Sequence, residues 1–419
     1  MNTIFAEATP PGRGGVSIIR LSGPEARQVT EELAGPLPEV RHCYFRTIKD
    51  DDDLIDQALV VRFDHEASFT GEESSEFHLH GAPVVVRRLE EALRRRGLRQ
   101  AEPGEFTMRS LISGKMNLTD VEGLSDLLLA ETEIQRKLAV ERSSGALGHM
   151  AERWGSDLIK AGAMITASID FADEEIPEDV ADDVGLILQQ VRNSLEKELA
   201  GYPASERLKR GFEVAIIGAP NAGKSSLMNA IARRDIAIVT DRAGTTRDVV
   251  EFRADLRGIP VTFLDTAGIR KAVDQIEEIG IDRARDRALS SDLRIFLGPI
   301  PEMARDLVRE RDFHIETKGD LTGSKGAISS LTGVGIDDLL DKIFDVLKEK
   351  ISGAGLAGNE RQAVAIADAA AALLIDDNLS VEILSENIRE AVYHLRRLVG
   401  KIDIEDYLDQ VFSTFCIGK

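Results

Sequence analysis

One stretch, residues 212–229, restricts the fold of this chain more than any other. It reads FEVAIIGAPNAGKSSLMN, which is an apolar run ending at Ile217, a glycine-bounded loop, and then Lys224, Ser225 and a helix-forming segment. A buried strand, a tight glycine loop and the start of a helix, in that order, predict a phosphate-binding loop.

Each residue type in this loop has its own role with a phosphate. The glycines let successive backbone N–H groups point inward, and the start of the helix adds the positive end of its dipole. Lys224 is suited to reach the β- and γ-phosphates, and the Ser225 hydroxyl is suited to bind Mg²⁺. The fixed positions alone occur by chance in unrelated chains, so the strand before the loop and the helix after it make the prediction of nucleotide binding specific.

Further segments follow in the order typical of a GTPase. Asp265 ends the apolar run Val261–Leu264, where its carboxylate suits the Mg²⁺ shell. Thr246 can offer a second hydroxyl to the metal, and Gly268 can offer its N–H to the γ-phosphate. Asp320 follows a predicted strand and can accept two hydrogen bonds from a guanine edge. The predicted nucleotide-binding residues are Asn221, Ala222, Gly223, Lys224, Ser225, Ser226, Thr240, Asp241, Arg242, Ala243, Gly244, Thr245, Thr246, Asp265, Thr266, Ala267, Gly268, Thr317, Lys318, Asp320, Ser329 and Ser330.

The residue after Gly268 is unusual. GTPases of the Ras type place a glutamine there to orient the attacking water. This chain has Ile269, whose side chain cannot hydrogen-bond water. We therefore expect water positioning and charge stabilisation to come from other groups.

Composition excludes several classes of protein. The 419 residues, 43% of them hydrophobic, predict two or three ordinary globular domains. No apolar run approaches the roughly 20 residues of a membrane span, and the N-terminus lacks the pattern of a signal peptide, so we expect a cytoplasmic protein with no membrane association. The net charge of −21 disfavours non-specific adhesion to nucleic acid, so an RNA substrate would need a local basic patch or a basic partner. The two cysteines, Cys43 and Cys416, are too few for a disulfide framework.

Residues 1–116 have the pattern of a compact α+β domain. Strands are predicted at Val16–Leu21, Gln57–Phe63 and Glu76–His80, and helices at Pro24–Leu33 and Pro83–Arg96. Glu76, His78 and His80 would share one strand face, which is compatible with a metal site. A polar face that lines a ligand or meets solvent is the commoner outcome, and no nearby residue completes a tetrahedral set.

The remaining chain alternates between helical and α/β patterns. Residues 117–208 are helical, with a long stretch from Leu118 and a second helix from about Val184 to Leu199. Residues 209–350 form the nucleotide domain, and 351–419 are helical again after a glycine-rich linker. We therefore predict a multidomain α+β fold, in which a discontinuous α-helical bundle carries an inserted Ras-like α/β P-loop GTPase domain.

Distinctive blocks outside the nucleotide motifs extend over nearly the whole chain. They are ATPPGRGGVSIIRLSG, SFTGEESSEFHLHG, EPGEFTMRSLISGKMNLTDVEGLSDLL, IDFADEEIPE and the terminal FCIGK. With these blocks the chain resembles the tRNA modification GTPases of the MnmE or TrmE family, within the TrmE/Era-like GTPases. The resemblance implies a homodimer whose N-terminal domain dimerises and binds 5,10-methylene- or 5-formyl-tetrahydrofolate. It also implies a heterotetramer with an FAD protein of the MnmG type, which adds an aminomethyl or carboxymethylaminomethyl group at C5 of the tRNA wobble uridine.

The resemblance also implies how GTP is hydrolysed to GDP. In this family a K⁺ ion takes the place of an arginine finger, and a glutamate after the DTAG segment positions water. The matching K⁺ ligands are Asn221, Thr240, Thr245 and the backbone carbonyl of Arg242, beside Ser225 and Thr246 for Mg²⁺. The implied catalytic residues are Lys224, Glu277 and Cys416. From the sequence alone, a solvated charge on a helix is the commoner interpretation of Glu277.

By the same match, Arg20, Glu76, Lys115 and Lys419 contact the folate. Arginine and lysine suit the folate carboxylates, and the Glu76 carboxylate suits the donor edge of a pterin. Cys416 in the tail is then a reactive thiol beside the folate, with an inert tail as the alternative. The same tail has the spacing of a prenylation signal, but its last two residues make that interpretation poor.

One motif departs from the family pattern. The usual Asn-Lys-x-Asp appears as Thr317-Lys318-Gly319-Asp320, so the amide that braces the guanine and the neighbouring loop is missing. Threonine reaches less far, which predicts weaker nucleotide affinity with guanine selectivity retained through Asp320. The competing interpretation of the chain is a ribosome-assembly or signalling GTPase of the Era-like group without modification chemistry. The N-terminal blocks and FCIGK argue against it.

Overall fold

The computed structural model describes residues 2–170, 179–234, 236–238, 251–265, 284–323, 326–374 and 380–402 and the single positions 412, 415 and 418. Within these ranges, no helix combines the length and the apolar character needed to cross a membrane.

The N-terminal part is a six-stranded sheet with helices packed against it. The strands are β1 (Ile4–Glu7), β2 (Val16–Ser22), β3 (Tyr44–Asp50), β4 (Asp53–Phe63), β5 (Ser74–His80) and β6 (Arg99–Gln100), and the helices are α1 (Ala26–Ala34), α2 (Pro83–Arg95) and α3 (Glu105–Ile112). The strand order is β3-β4-β5-β2-β1-β6, with β1 and β6 parallel and the other neighbours antiparallel.

Alternating side chains explain how this sheet forms. In β5, Phe77 and Leu79 are buried in the core under α1 and α2, whereas Glu76 and His78 alternate with them. The strands and helices predicted in this part are confirmed, although β4 begins at Asp53 and not at Gln57. Strands β1, β3 and β6 and helix α3 were not predicted from the sequence.

A buried ionic network joins β6 to α3. Glu105 Oε1 accepts hydrogen bonds from Arg99 Nη2 at 2.6 Å and from Arg109 Nη2 at 2.9 Å. Burial would raise the pKa of Glu105, but the hydrogen bonds from Arg99, from the Glu102 N–H and from Arg109 hold it below its usual range. The carboxylate is therefore ionised and part of the core of this region.

The predicted helical stretch from Leu118 is divided into separate helices. They are α4 (Leu118–Leu129), α5 (Glu133–Ser143), α6 (Ala146–Asp170) and α7 (Asp179–Arg210). Capping residues mark the starts: the Asn117 Oδ1 atom accepts the Asp120 N–H at 3.0 Å, and Gln135 Oε1 accepts the Thr132 N–H at 3.1 Å. Helix α7 is longer than predicted and continues through Pro203.

The nucleotide domain is a second six-stranded sheet, in the order β12-β11-β7-β10-β9-β8. Its elements are β7 (Phe212–Gly218), α8 (Lys224–Ala232), β8 (Ala237–Ile238), β9 (Glu251–Leu256), β10 (Ile259–Asp265), β11 (Leu293–Leu297), a 3₁₀ helix (Glu302–Leu307), β12 (Phe313–Ile315), α9 (Gly319–Thr322) and α10 (Ile336–Ile351). Strands β12, β11, β7 and β10 are parallel. Val214 and Ile216 pack on the α8 and α10 side, and Ala215 and Ile217 pack on the other. Burial on both faces explains the continuous apolar run of β7.

The C-terminal part contains two further helices, α11 (Glu360–Ala372) and α12 (Val381–Leu398). The chain separates into two compact units: one comprises Met1–Ser125, Arg142–Val191 and Asp368–Lys419, and the other comprises Asp126–Glu141 and Arg192–Ala367. The domain boundaries predicted from the sequence, 1–116, 117–208, 209–350 and 351–419, stay a prediction.

Candidate functional site

The predicted order of strand, loop and helix is confirmed at residues 212–232. Strand β7 ends at Gly218, the loop follows, and α8 begins at Lys224. Two loop residues have positive φ angles, Gly223 at 97° and Asn221 at 61°. A Cβ atom on Gly218 would lie 2.9 Å from the carbonyl oxygen of Leu297, so only glycine fits against the neighbouring strand. The loop is thereby curved over the carboxyl end of the parallel strands.

Lys224 is the buried cation of this loop, with 8% of its surface exposed. Its Nζ donates to the carbonyl oxygens of Gly218 at 2.8 Å and Ala219 at 3.1 Å. Burial lowers the pKa of the Lys224 ammonium, and the Asp265 carboxylate acts in the opposite direction. A phosphate bound at the loop would give the buried Lys224 ammonium a negatively charged hydrogen-bond partner.

Ser225 and Asp265 form the second part of the site. The Ser225 hydroxyl donates to Asp265 Oδ2 at 2.9 Å, and Asp265 is 4% exposed at the end of β10. The other oxygen, Oδ1, is buried and has no hydrogen-bond partner among the described residues. Hydroxyl and carboxylate oxygens are the ligands that Mg²⁺ prefers. The orphaned oxygen and this donor set therefore fit a magnesium ion at the phosphates.

The base-binding segment is joined to the phosphate loop. Thr317 Oγ1 donates to the carbonyl oxygen of Ala222 at 2.8 Å, and Ser329 Oγ donates to Asp320 Oδ1 at 2.7 Å. Lys318 has a φ of 60°, which turns the chain into the short helix α9. Although threonine reaches less far than asparagine, its hydroxyl joins this segment to the phosphate loop. The expected loss of affinity stays a prediction.

Of the other predicted nucleotide-site residues in the described part of the chain, Ser226 is exposed on α8 and Ser330 is half-buried after Ser329. The remaining predicted residues lie outside the described residues: Thr240, Asp241, Arg242, Ala243, Gly244, Thr245, Thr246, Thr266, Ala267, Gly268, Glu277, Cys416 and Lys419.

A second polar cluster lies on the N-terminal sheet. Arg20 on β2 donates through Nε to Glu76 Oε1 at 2.9 Å, and its guanidinium lies 5.8 Å from the ring centroids of both Phe69 and Phe106. The antiparallel register, which pairs Arg20 with Glu76, brings two of the four predicted folate contacts together. The two rings were missed from the sequence, because nothing local links Phe69 and Phe106 to Arg20. Lys115 is bound separately, through Nζ to the carbonyl oxygen of Glu66 at 2.8 Å.

The histidines of β5 have different partners. His78 Nε2 lies 3.2 Å from Glu76 Oε2, whereas His80 Nδ1 lies 2.8 Å from Asp56 Oδ1. Among the described residues, no group of three or more His, Cys, Asp or Glu side chains is placed to hold a metal ion.

The described positions of the C-terminal tail contact the N-terminal region. Phe412 and Phe415 are 6% exposed and pack with Val121. Gly418 has a φ of +99°, and a Cβ atom there would collide with the backbone of Glu7. The end of the chain is therefore held against β1, which pairs with the strand that carries Arg20.

Two family profiles match the chain. The profile described as the N-terminus of the GTP-binding protein TrmE matches residues 3–115, and the profile described as the MnmE helical domain matches residues 118–416. A protein named tRNA modification GTPase MnmE from Paracoccus denitrificans is 53% identical over 420 residues, which cover 100% of both chains. A protein of the same name from Roseobacter denitrificans is 48% identical, also over 100% of both chains. Among solved structures, the G domain of the T. maritima FeoB iron transporter is 26% identical, covering 32% of this chain and 98% of that one with a TM-score of 0.23.

Proposed function

The chain belongs to the MnmE family of tRNA modification GTPases, and from that premise we propose that it hydrolyses GTP to GDP in the modification of the tRNA wobble uridine. The observation that carries the proposal is the phosphate loop, in which Lys224, Ser225 and Asp265 are arranged for a triphosphate and a magnesium ion. The full-length relatives named tRNA modification GTPase MnmE support the assignment to tRNA modification.

The residues of the phosphate loop and Asp265 have different roles in phosphoryl transfer. Lys224 and the backbone N–H groups at the start of α8 hold the phosphates, while Ser225 and Asp265 would hold Mg²⁺. When bound, Mg²⁺ neutralises charge on the β- and γ-phosphate oxygens. Asp320, oriented by the Ser329 hydroxyl, accepts the guanine N–H groups and so selects the base.

We further propose that hydrolysis is stimulated by K⁺. The support is Ile269, which cannot orient water, and Asn221, which is exposed in the loop with a positive φ angle. The other proposed ligands are Thr240, Thr245 and the carbonyl of Arg242, and Glu277 positions the water.

GTP turnover measured in K⁺ and in Na⁺ tests this proposal. We expect several-fold faster turnover in K⁺, and we expect the Asn221→Ala variant to lose the difference. Asn229→Ala, the same change on an exposed residue of α8 outside the loop, is the matched control and should retain it. Equal rates of the wild-type protein in both salts would refute the K⁺ assignment.

For the modification chemistry, we propose that the N-terminal domain binds a one-carbon tetrahydrofolate through Arg20, Glu76, Lys115 and Lys419. The exposed Phe69 ring beside Arg20 offers an apolar surface to a pterin or benzoyl ring, which supports this choice. Cys416 is the proposed reactive thiol of the tail. The proposed assembly is a homodimer that binds an MnmG-type flavoprotein, with domains 1–116, 117–208, 209–350 and 351–419.

Deletion of the gene, followed by mass spectrometry of wobble uridines in bulk tRNA, tests the role as a whole. We expect the aminomethyl and carboxymethylaminomethyl nucleosides to disappear and to return on complementation. Unchanged nucleosides would favour a GTPase of ribosome assembly or signalling.

A further inference from the structure

Helices α6 and α12 enclose a cleft of about 290 Å³. Its lining contains no residue of the proposed nucleotide, metal or folate sites. Leu158 and Ile388 are buried residues of this cleft, and Ile159 and Tyr393 border it with 56% and 41% of their surface exposed. All of its lining residues belong to one compact unit. The cleft is therefore an apolar slot with an aromatic ring at its edge.

Two arginines of α12 also line this cleft. Arg389 and Arg396 lie on either side of Tyr393 in the helix. Arg396 forms no ion pair within the part of the chain that the structure describes. Arg389 pairs with Glu386 of the same helix at 3.3 Å, with exposures of 73% and 71%, and such a pair contributes little stability. Among the described residues, neither guanidinium therefore has a buried carboxylate as its ion-pair partner.

Several arginines of the more basic helix α2 are bound by carboxylates of the N-terminal region. Arg88 and Arg96 bind the buried Asp50 at 2.9 and 2.8 Å, and Arg95 binds the same carboxylate. Arg88 also pairs with Asp53 at 2.6 Å. These carboxylates offset part of the positive charge of α2, whereas Arg389 in the cleft has only the exposed Glu386 as an ion-pair partner among the described residues of this chain of net charge −21.

We propose that the α6–α12 cleft binds one unpaired nucleotide of the tRNA, with its base against Tyr393 and the flanking phosphates at Arg389 and Arg396. Proteins bind single-stranded nucleic acid by stacking bases on aromatic rings and by pairing phosphates with arginines. Seven residues of helix separate the two arginines by about 10 Å along the axis, so they meet different phosphates. The cleft volume is near the lower limit of about 300 Å³ for ligand pockets. A cleft of this size can hold one base but is too small for a duplex. This inference rests on the proposed role in tRNA modification.

The test is binding of a fluorescent anticodon stem-loop RNA to the full-length protein, measured by anisotropy over a range of salt concentrations. We expect Arg396→Gln to weaken binding about fivefold and to reduce the slope of log K against log salt by about 0.7, the value for one phosphate on a single strand. We expect Tyr393→Ala to weaken binding about tenfold without changing that slope, because stacking is not ionic. Tyr393→Phe should bind as the wild type does.

Two controls separate this inference from the proposed function and from unfolding. Arg305→Gln removes an exposed arginine from the other compact unit and should leave affinity and slope unchanged. Thermal melts show whether each variant is folded. If Tyr393→Ala is unfolded, the salt dependence of RNA binding by Arg396→Gln still tests whether the cleft binds a phosphate. Wild-type affinity and slope in every variant would overturn the inference and leave the proposed function intact. Unchanged RNA binding with lost association of the flavoprotein would identify a protein-docking surface, which also overturns it. No binding by the wild-type protein would count against both proposals.

Discussion

The hydrogen bond from Thr317 to the phosphate loop allows a quantitative prediction. Thr317→Val keeps the shape of the side chain but removes the donor that binds the Ala222 carbonyl oxygen at 2.8 Å. A hydrogen bond of this type contributes about 0.5–1.5 kcal/mol net, which corresponds to a roughly 2- to 12-fold change in affinity. Both residues are half-buried, so water can partly replace the lost donor. We therefore expect GDP to bind about threefold more weakly, because the nucleotide must then order the two loops itself.

Equilibrium titration with a fluorescent GDP analogue measures this effect, and Thr317→Ser is the matched control. Serine keeps the hydroxyl and should bind GDP within about twofold of the wild type. Thr317→Asn addresses the departure from the family motif and should bind more tightly than the wild type if the amide braces the base as well. Equal affinities for Thr317→Val and Thr317→Ser would refute the claim that this hydroxyl couples the two loops.

Three further predictions follow from the described contacts. Lys224→Met should abolish the rise in melting temperature that GDP causes, because the variant has no cation for the phosphates; a retained rise in a thermal shift assay would contradict this role. Since the pKa of Glu105 is held below its ordinary value of 4.5, its ion pair with Arg99 stabilises the fold fully above that pH and loses the effect as pH falls further. The stability difference between the wild type and Glu105→Gln should therefore shrink on acidification in denaturant titrations. Gly418→Ala should release the tail, because its Cβ atom collides with the Glu7 backbone, and carboxypeptidase should then trim the C-terminus faster than in the wild type.

Helix α7 shows why some element boundaries could not be predicted. The sequence favours an end near Leu199, since Gly201 and Pro203 are poor residues for a helix interior. The helix continues because distant residues support this region: Gly355 donates its N–H to the Gly201 carbonyl at 3.3 Å, and Ser205 donates to the Gly355 carbonyl at 2.6 Å. Contacts made more than a hundred residues away in sequence outweigh local propensity here.

The sequence alone determined the phosphate loop, the strands that flank it and the N-terminal strands with alternating side chains. These features depend on local backbone geometry and on short hydrophobic periodicities, both of which are determined by residues close together in the sequence. It also determined the family, because the distinctive blocks extend beyond the nucleotide motifs.

Only the tertiary structure decided which distant side chains meet. Ser225 reaches Asp265 because β7 and β10 are adjacent parallel strands, and Arg20 reaches Glu76 because β2 and β5 pair in one register. The same holds for the cleft at Tyr393, which exists because α6 and α12 pack together. Strand order and helix packing are set by the free energy of the whole core, and no local pattern in the sequence specifies them.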